Sequence, residues 1–388
     1  MVSVTKHNTP ALRFGGFDDE WDTSELNDLV EVGNGRDYKH LNEGRIPVYG
    51  TGGYMLSVDQ ALSYNKDAIG IGRKGTIDKP FLLRAPFWTV DTLFFVMARS
   101  SIDLPFLFSV FQRVDWKSKN TATGVPSLTS QAIEQTTVTI APSLKEQQAI
   151  GELFANLDAL IEQHRAKHAN LQQTKTALMQ RMFPQDGSNE PELRLGEFSG
   201  VWEATEVKHI TARALGGGTP SRTVDEYWNG SIPWIQSSDV KEHTVFGCTP
   251  KHFISSRGLS SSATSLVKGG SLAIVTRVGV GKVAIMTEDY CTSQDFLNLS
   301  GLQGDLTFLG VLLQSELEEM SSRTQGTSIK GVTKENVMSL SIQVPPTLEE
   351  QRAIGEVFSN LDALIADEHR YITQLTQAKT ALLQRMFV

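Results

Sequence analysis

Two stretches of this chain place apolar residues at alternating steps of four and three. The first runs Ile150, Phe154, Leu157, Ile161, His164, His168, Leu171, Lys175, Leu178 and Met182. The second runs Ile354, Phe358, Leu361, Ile365, Glu368, Ile372, Leu375, Lys379, Leu382 and Met386. That spacing is a heptad seam and predicts two long helices. Pro142 and Pro346 stand just before them, where proline is tolerated, and Pro184 ends the first. A helix of about 40 residues is about 60 Å long. Alone, each helix would expose an apolar stripe, so the two stripes are expected to bury each other.

The helices belong to a longer repeat. Residues 142–183 align without a gap on residues 346–387, offset by 204, with 25 of 42 positions identical. Further back, PALRFGGFDDEW at 10–21 matches PELRLGEFSGVW at 191–202, offset by 181. The difference between the offsets leaves 23 extra residues in the second half. Between these landmarks the halves look unrelated. Runs such as FLLRAPFWTV and SLAIVTRVGV read as strands between Gly-rich turns, which predicts α/β (α+β) globular regions. The expected organisation is a globular domain over 1–140, a helix over 141–184, a linker over 185–190, a second domain over 191–345 and a second helix over 346–388. Helices that stay alike beside globular parts that diverge fit one shared partner surface and two different ligands. The seams and the repeated Gln-Arg-Met-Phe ends are expected to form a docking platform for that partner.

Composition narrows the class. At 388 residues the chain is too long for one ordinary core. No apolar run is long enough to span a bilayer, and the first ten residues carry no signal-peptide core. The two cysteines, Cys248 and Cys291, have no metal-like neighbours, so a reducing cytoplasm is the expected compartment. The net charge of -8 does not by itself point to nucleic acid. Its distribution is uneven. Residues 18–31 hold seven acids and no Lys or Arg, whereas 36–119 hold twelve basic and eight acidic side chains.

The duplicated EQQAIGELFANLDALI and EQRAIGEVFSNLDALI helices, with their ALMQRMF and ALLQRMF endings, resemble the specificity subunits of type I restriction–modification systems. So do GGGTPSRTVDEYWNGSIPWIQSSDV, VKGGSLAIVTRVGVGKVAI and TSIKGVTKENVMSLSIQVPP in the second variable region. IPVYGTGGYM, AIGIGRKGTI and FWTVDTLFFV in the first look like another type of recognition domain. The resemblance covers essentially the whole chain. It implies two target-recognition domains, each reading one half of a split double-stranded DNA sequence. It implies two long helices packed as an antiparallel coiled coil with internal pseudo-twofold symmetry, setting the gap between the halves. It also implies docking of two modification subunits that methylate adenine with S-adenosylmethionine, and of two restriction subunits that use ATP and Mg. No cofactor is then bound by this chain.

Under that resemblance the loops become candidate DNA contacts. In the first region these are Tyr49, Thr51 and Tyr54 around a glycine turn; Arg73, Lys74 and Thr76 on a second turn; and Lys117, Lys119 and Asn120. In the second they are Thr219, Ser221 and Arg222; Ser237 and Ser238; Arg277 and Lys282; and Arg323, Gln325 and Thr327. Cations beside glycine suit phosphate oxygens or guanine edges, and hydroxyl and amide groups suit either. Trp88–Thr92 is expected to be structural, supporting the second turn.

There is no GxxxxGK[ST] loop, and no Asp-Pro-Pro-Tyr or Asn-Pro-Pro-Phe run of the kind the resembling adenine methyltransferases carry. Glu206-Val207-Lys208 mimics a nuclease E-x-K, but lacks a fitting acidic partner. His164 and His168 have an i,i+4 spacing, yet Glu368 and Ile372 replace them in the second copy, so a polar seam is favoured over a metal. The expectation is a non-catalytic module. Two alternatives are the DNA-targeting part of a fused restriction–methylation enzyme with an unrecognised catalytic site, and a coiled-coil scaffold that binds no DNA.

Overall fold

The computed structural model describes residues 8–185, 187–324 and 331–388. Its contacts divide the chain into two compact units, Met1–Arg165 with Arg370–Val388, and Ala166–His369. The repeated helices are Leu144–Met182 and Leu348–Met386, 39 residues each. Each unit therefore holds one globular region, the beginning of the helix that follows it, and the end of the other helix.

In the first unit an antiparallel ribbon pairs Asp22–Glu25 with Thr137–Ile140. The same unit holds a four-stranded antiparallel sheet in the order Val30–Asn34, Leu93–Ala98, Ala68–Gly72, Phe81–Leu83. All five residues of Ala68–Gly72 are buried, so this strand reads as a continuous run with no alternation. The helix Leu104–Arg113 sets Phe106, Leu107, Val110 and Phe111 into the same core. It starts where Asp103 accepts the Phe106 N–H at 3.0 Å. A smaller sheet joins Glu43–Gly50 antiparallel to Gly53–Val58 and parallel to Trp88–Thr89.

The second unit repeats this plan strand for strand. Its ribbon is Glu203–Glu206 with Ser341–Val344. Its large sheet runs Thr211–Gly216, Phe296–Leu302, Ser271–Val275, Val283–Met286. Its small sheet joins Ile232–Ile235 antiparallel to His252–Ile254 and parallel to Cys291–Thr292. The expected α/β class is therefore met twice, and two sequences that look unrelated share one topology. Residues 236–251 separate the strands Ile232–Ile235 and His252–Ile254, where residues 51–52 suffice in the first unit. Much of the second half's extra length sits there.

Each seam residue is at least half-buried. Ile150, Phe154, Ile161, Ile354 and Phe358 are fully inside, while Leu157, Leu171, Leu178, Leu361, Ile365, Leu375 and Leu382 are half-buried. The helices pair antiparallel within each unit. In the first, Lys379 bonds Asp158 at 2.6 Å and the His164 ring lies 4.5 Å from Tyr371. In the second, Lys175 pairs with Asp362, Lys167 bonds Glu368 at 2.6 Å, and His168 lies 5.9 Å from His369. The lysines that interrupt the heptads thus neutralise aspartates of the facing helix. No cluster of three or more metal-ligating groups occurs among the described residues.

The repeated landmarks meet in each core. Phe387 stacks on Phe106 at 5.4 Å and touches Trp21 and Phe154 at 5.6 and 5.8 Å. Phe183 stacks on Phe308 at 5.7 Å and touches Trp202 and Phe358. Arg13 makes two bonds to Glu146, at 2.6 and 2.8 Å, and Arg194 makes two to Glu350, both at 2.8 Å. The Gln-Arg-Met-Phe ends therefore do not offer their apolar side chains to a partner. Met182, Phe183, Met386 and Phe387 are each buried in a core of this chain, because the helix that ends one half closes the globular region of the other.

Candidate nucleic-acid interface

The strand Ala68–Gly72 delivers its last residue into a turn, Arg73-Lys74-Gly75-Thr76, whose four residues are all exposed. Its backbone is clamped on three sides. Arg73 N–H donates to Thr92 O at 2.8 Å, Arg73 O accepts from Leu128 N at 2.9 Å, and Gly75 N–H donates to Pro126 O at 2.9 Å. Gly75 has φ +87°, a conformation that favours glycine. Side chains here project from a fixed main chain. The Arg73 guanidinium lies 5.9 Å above the Phe94 ring.

Other candidates gather at the same end of the unit. The Thr51 hydroxyl is in van der Waals reach of a Cβ built on Gly75. Asn120 builds the neighbouring loop, its Oδ1 accepting from Ala122 N at 3.0 Å and Ser127 N at 2.9 Å, so its amide is committed internally. Lys117 reaches Asp78 at 2.9 Å, and that hydrogen bond holds the Asp78 carboxyl below its ordinary range. Lys74 and Lys119 have no ion-pair partner among the described residues. Tyr49 is half-buried against Phe81, while Tyr54 is mostly exposed, with its hydroxyl 3.2 Å from Ser57.

Sequence reasoning missed one segment. Gly35 N–H donates to Leu93 O and Arg36 N–H to Thr89 O, and Trp88 Nε1 donates to Arg36 O at 2.9 Å. A Cβ on Gly35 would fall 1.9 Å from Val90 O, so only glycine fits. This puts exposed Arg36, Lys39 and His40 beside the other loops. The available signal was Gly-Asn-Gly-Arg followed by two further basic residues, the same glycine-plus-cation pattern as Arg73–Thr76.

The second unit uses the same anchors. Thr276 N–H donates to Asp295 O and Thr276 O accepts from Val332 N, both at 2.8 Å, so Thr276 occupies the place of Arg73 and Arg277 that of Lys74. Gly218 N–H donates to Thr292 O, as Arg36 does to Thr89, and Trp234 Nε1 donates to Gly218 O. What projects is different. Arg222 lies 5.5 and 5.9 Å above the rings of Trp228 and Trp234. Thr219 donates to Gln294 at 2.6 Å and Ser221 meets Thr223 at 2.9 Å. Ser237 and Ser238 sit in a one-turn 3-10 helix closed by Gln236 N–H donating to buried Asp239. Arg277 is exposed, but Lys282 is not free, because it pairs with Glu242 at 3.0 Å. Gln325 and Thr327 lie outside the described residues, as does the side chain of Arg323.

Burial pushes the thiols of Cys248 and Cys291 up to about 11, so both are protonated at neutral pH. Among the described residues no helix is long and apolar enough to cross a membrane.

The MjaIX specificity subunit of a type I restriction enzyme from Methanocaldococcus jannaschii is 26% identical over 51% of this chain and 46% of its own length. The EcoR124I/EcoR124II specificity subunit of Escherichia coli is 29% identical over 38% of each chain. These matches thus span about half or less of the relatives' lengths. Among solved structures, the type I restriction–modification S subunit from M. genitalium matches 98% of this chain and 99% of its own, with a TM-score of 0.73 at 13% identity, which establishes a common fold. The family model described as the type I restriction modification DNA specificity domain matches twice, over residues 18–173 and 201–377. The chain belongs to the family of type I restriction modification DNA specificity domains, and carries two copies of that domain.

Proposed function

We propose that this chain is a non-catalytic specificity subunit that reads a bipartite double-stranded DNA target, one half with each unit. One observation carries the reading. The two units hold the same turns with the same main-chain hydrogen bonds and project different side chains from them. A conserved frame with exchanged tips is what two different base sequences require, since phosphate contacts position a protein and base-edge contacts specify. The partners in this reading are two modification subunits, docked on the repeated helices around a pseudo-twofold axis, and two restriction subunits. S-adenosylmethionine and ATP with Mg belong to those partners. The paired helices act as the spacer that fixes the gap between half-sites.

Methylome sequencing of cells that co-express this chain with its modification subunit tests the proposal. The expected result is one split motif with a fixed gap and a methylated adenine in each half. A continuous motif, or methylation independent of this chain, would overturn it.

A further inference from the structure

The sixteen residues 236–251 of the second unit replace a two-residue turn in the first. Their middle, Lys241–Phe246, is a strap without regular secondary structure. Val245 plugs it into the core, and the Val245 carbonyl accepts from Ile285 N at 2.9 Å, along the edge strand Val283–Met286. One end of the strap is tied to the long helices. Thr244 Oγ1 donates to Asp362 Oδ2 at 2.9 Å, and Lys175 Nζ donates to the His243 carbonyl at 2.7 Å as well as to Asp362.

The other end grips the Arg277 turn. Glu242 pairs with Lys282 at 3.0 Å, at the foot of that turn. His243 Nδ1 lies 3.4 Å from Glu318, and the Glu318 side chain stands against Gly281, where a Cβ would come within 3.1 Å of it. His243 has φ +58°, the one non-glycine residue in the left-handed region among those described. Non-glycine residues adopt that conformation uncommonly, histidine more readily than most. Here the bend accompanies the Glu242 carboxylate facing Lys282 and the His243 carbonyl facing Lys175.

We infer that Glu242 and His243 are positioning residues for DNA reading. The strap holds the Arg277 turn in place against the spacer helices, and Lys282 is its anchor, not a DNA contact. The inference rests on the reading of that turn as a DNA-reading element. It also makes a prediction of opposite sign to plain electrostatics. Removing an acid near bound phosphates should tighten binding or leave it unchanged. If Glu242 positions the turn, removing its charge weakens binding.

The test uses the full chain in complex with its modification subunits and a duplex carrying its target, with affinity measured across a salt series. E242Q is expected to bind about threefold to fivefold more weakly, the range of an ion pair worth up to about 1 kcal/mol. The swap E242K/K282E, which keeps the net charge, is expected to return affinity to within about twofold of the parent with an unchanged salt slope. Unchanged or tighter binding by E242Q overturns the inference. So does a swap that stays weak with a slope lowered by about one, which would place Lys282 on a phosphate. R277A breaks no contact of the strap and tests the underlying reading separately. Unchanged affinity in R277A sinks the DNA reading of the turn, whereas loss in R277A without rescue in the swap sinks only the strap.

Discussion

Arg13 and Glu146 show how one pair can weigh more than a surface full of charges. Glu146 is wholly buried and Arg13 nearly so, with two short bonds between them. Taking away Arg13 leaves the buried Glu146 carboxylate without its cation, so Arg13→Ala is expected to cost about 3–5 kcal/mol. Arg181 and Glu192 are also bonded, at 2.8 Å, but both are exposed, and Arg181→Ala is expected to cost under about 1 kcal/mol. Phe387→Ala empties a site ringed by Trp21, Phe106 and Phe154 and is expected to cost about 3–5 kcal/mol. Thermal unfolding of the three variants ranks them. An Arg13→Ala midpoint as high as that of Arg181→Ala would show that the buried pair is dispensable. These residues were visible as repeated letters in the sequence. Their purpose was not, because Phe387 meets Trp21 across more than three hundred and fifty residues of chain, and no local pattern encodes that meeting.

At the scale of the element, the turns differ in what they hold out. Lys74 is a flexible point charge on a clamped turn and suits a phosphate, whereas Arg277 offers a planar fork that suits guanine O6 and N7. Lys74→Ala is therefore expected to weaken all sequences alike and to lower the salt slope by about one. Arg277→Ala is expected to relax a single position of the second half-site at a cost of about 1–3 kcal/mol. Binding to a panel of single-base variants at several salt concentrations separates the two, and a uniform effect of Arg277→Ala would assign it to the backbone. The sequence located these turns because glycine and cations mark them locally. It gave no sign that Lys282 pairs with Glu242, which lies forty residues earlier on a strap without periodicity. It also missed the common topology of the two units. The shared frame is built from main-chain hydrogen bonds such as Arg73 N–H to Thr92 O and Thr276 N–H to Asp295 O, which any side chain but proline permits.

At the scale of the molecule, the exchange of helix ends explains why the repeat is so strict where it is strict. The end of the second helix must fit the first globular region, and the end of the first must fit the second. The endings LMQRMF at 178–183 and LLQRMF at 382–387 differ at one position, and each places its phenylalanine in an aromatic cluster with a tryptophan of the PxLRxGxFxxxW landmark. The remaining contacts repeat as well. Leu12 N–H donates to Arg385 O as Leu193 does to Arg181, and Lys379 bonds Asp158 as Lys175 bonds Asp362. A fragment of residues 1–187 therefore lacks only the segment that its own helix end can imitate. Two such fragments are expected to exchange ends, each Phe183 entering the site of Phe387 in the other, and to form a closed twofold dimer. Light scattering should give twice the fragment mass, and Phe183→Ala in the fragment should return it to a monomer, since an emptied aromatic site forfeits about 3–5 kcal/mol at each of two places. Co-expressed with the modification subunit, the dimer should direct methylation to an inverted repeat of a single half-site. A folded, monomeric 1–187 would sink this account, because it would mean that the Trp21, Phe106 and Phe154 cluster closes without a phenylalanine from a second helix end.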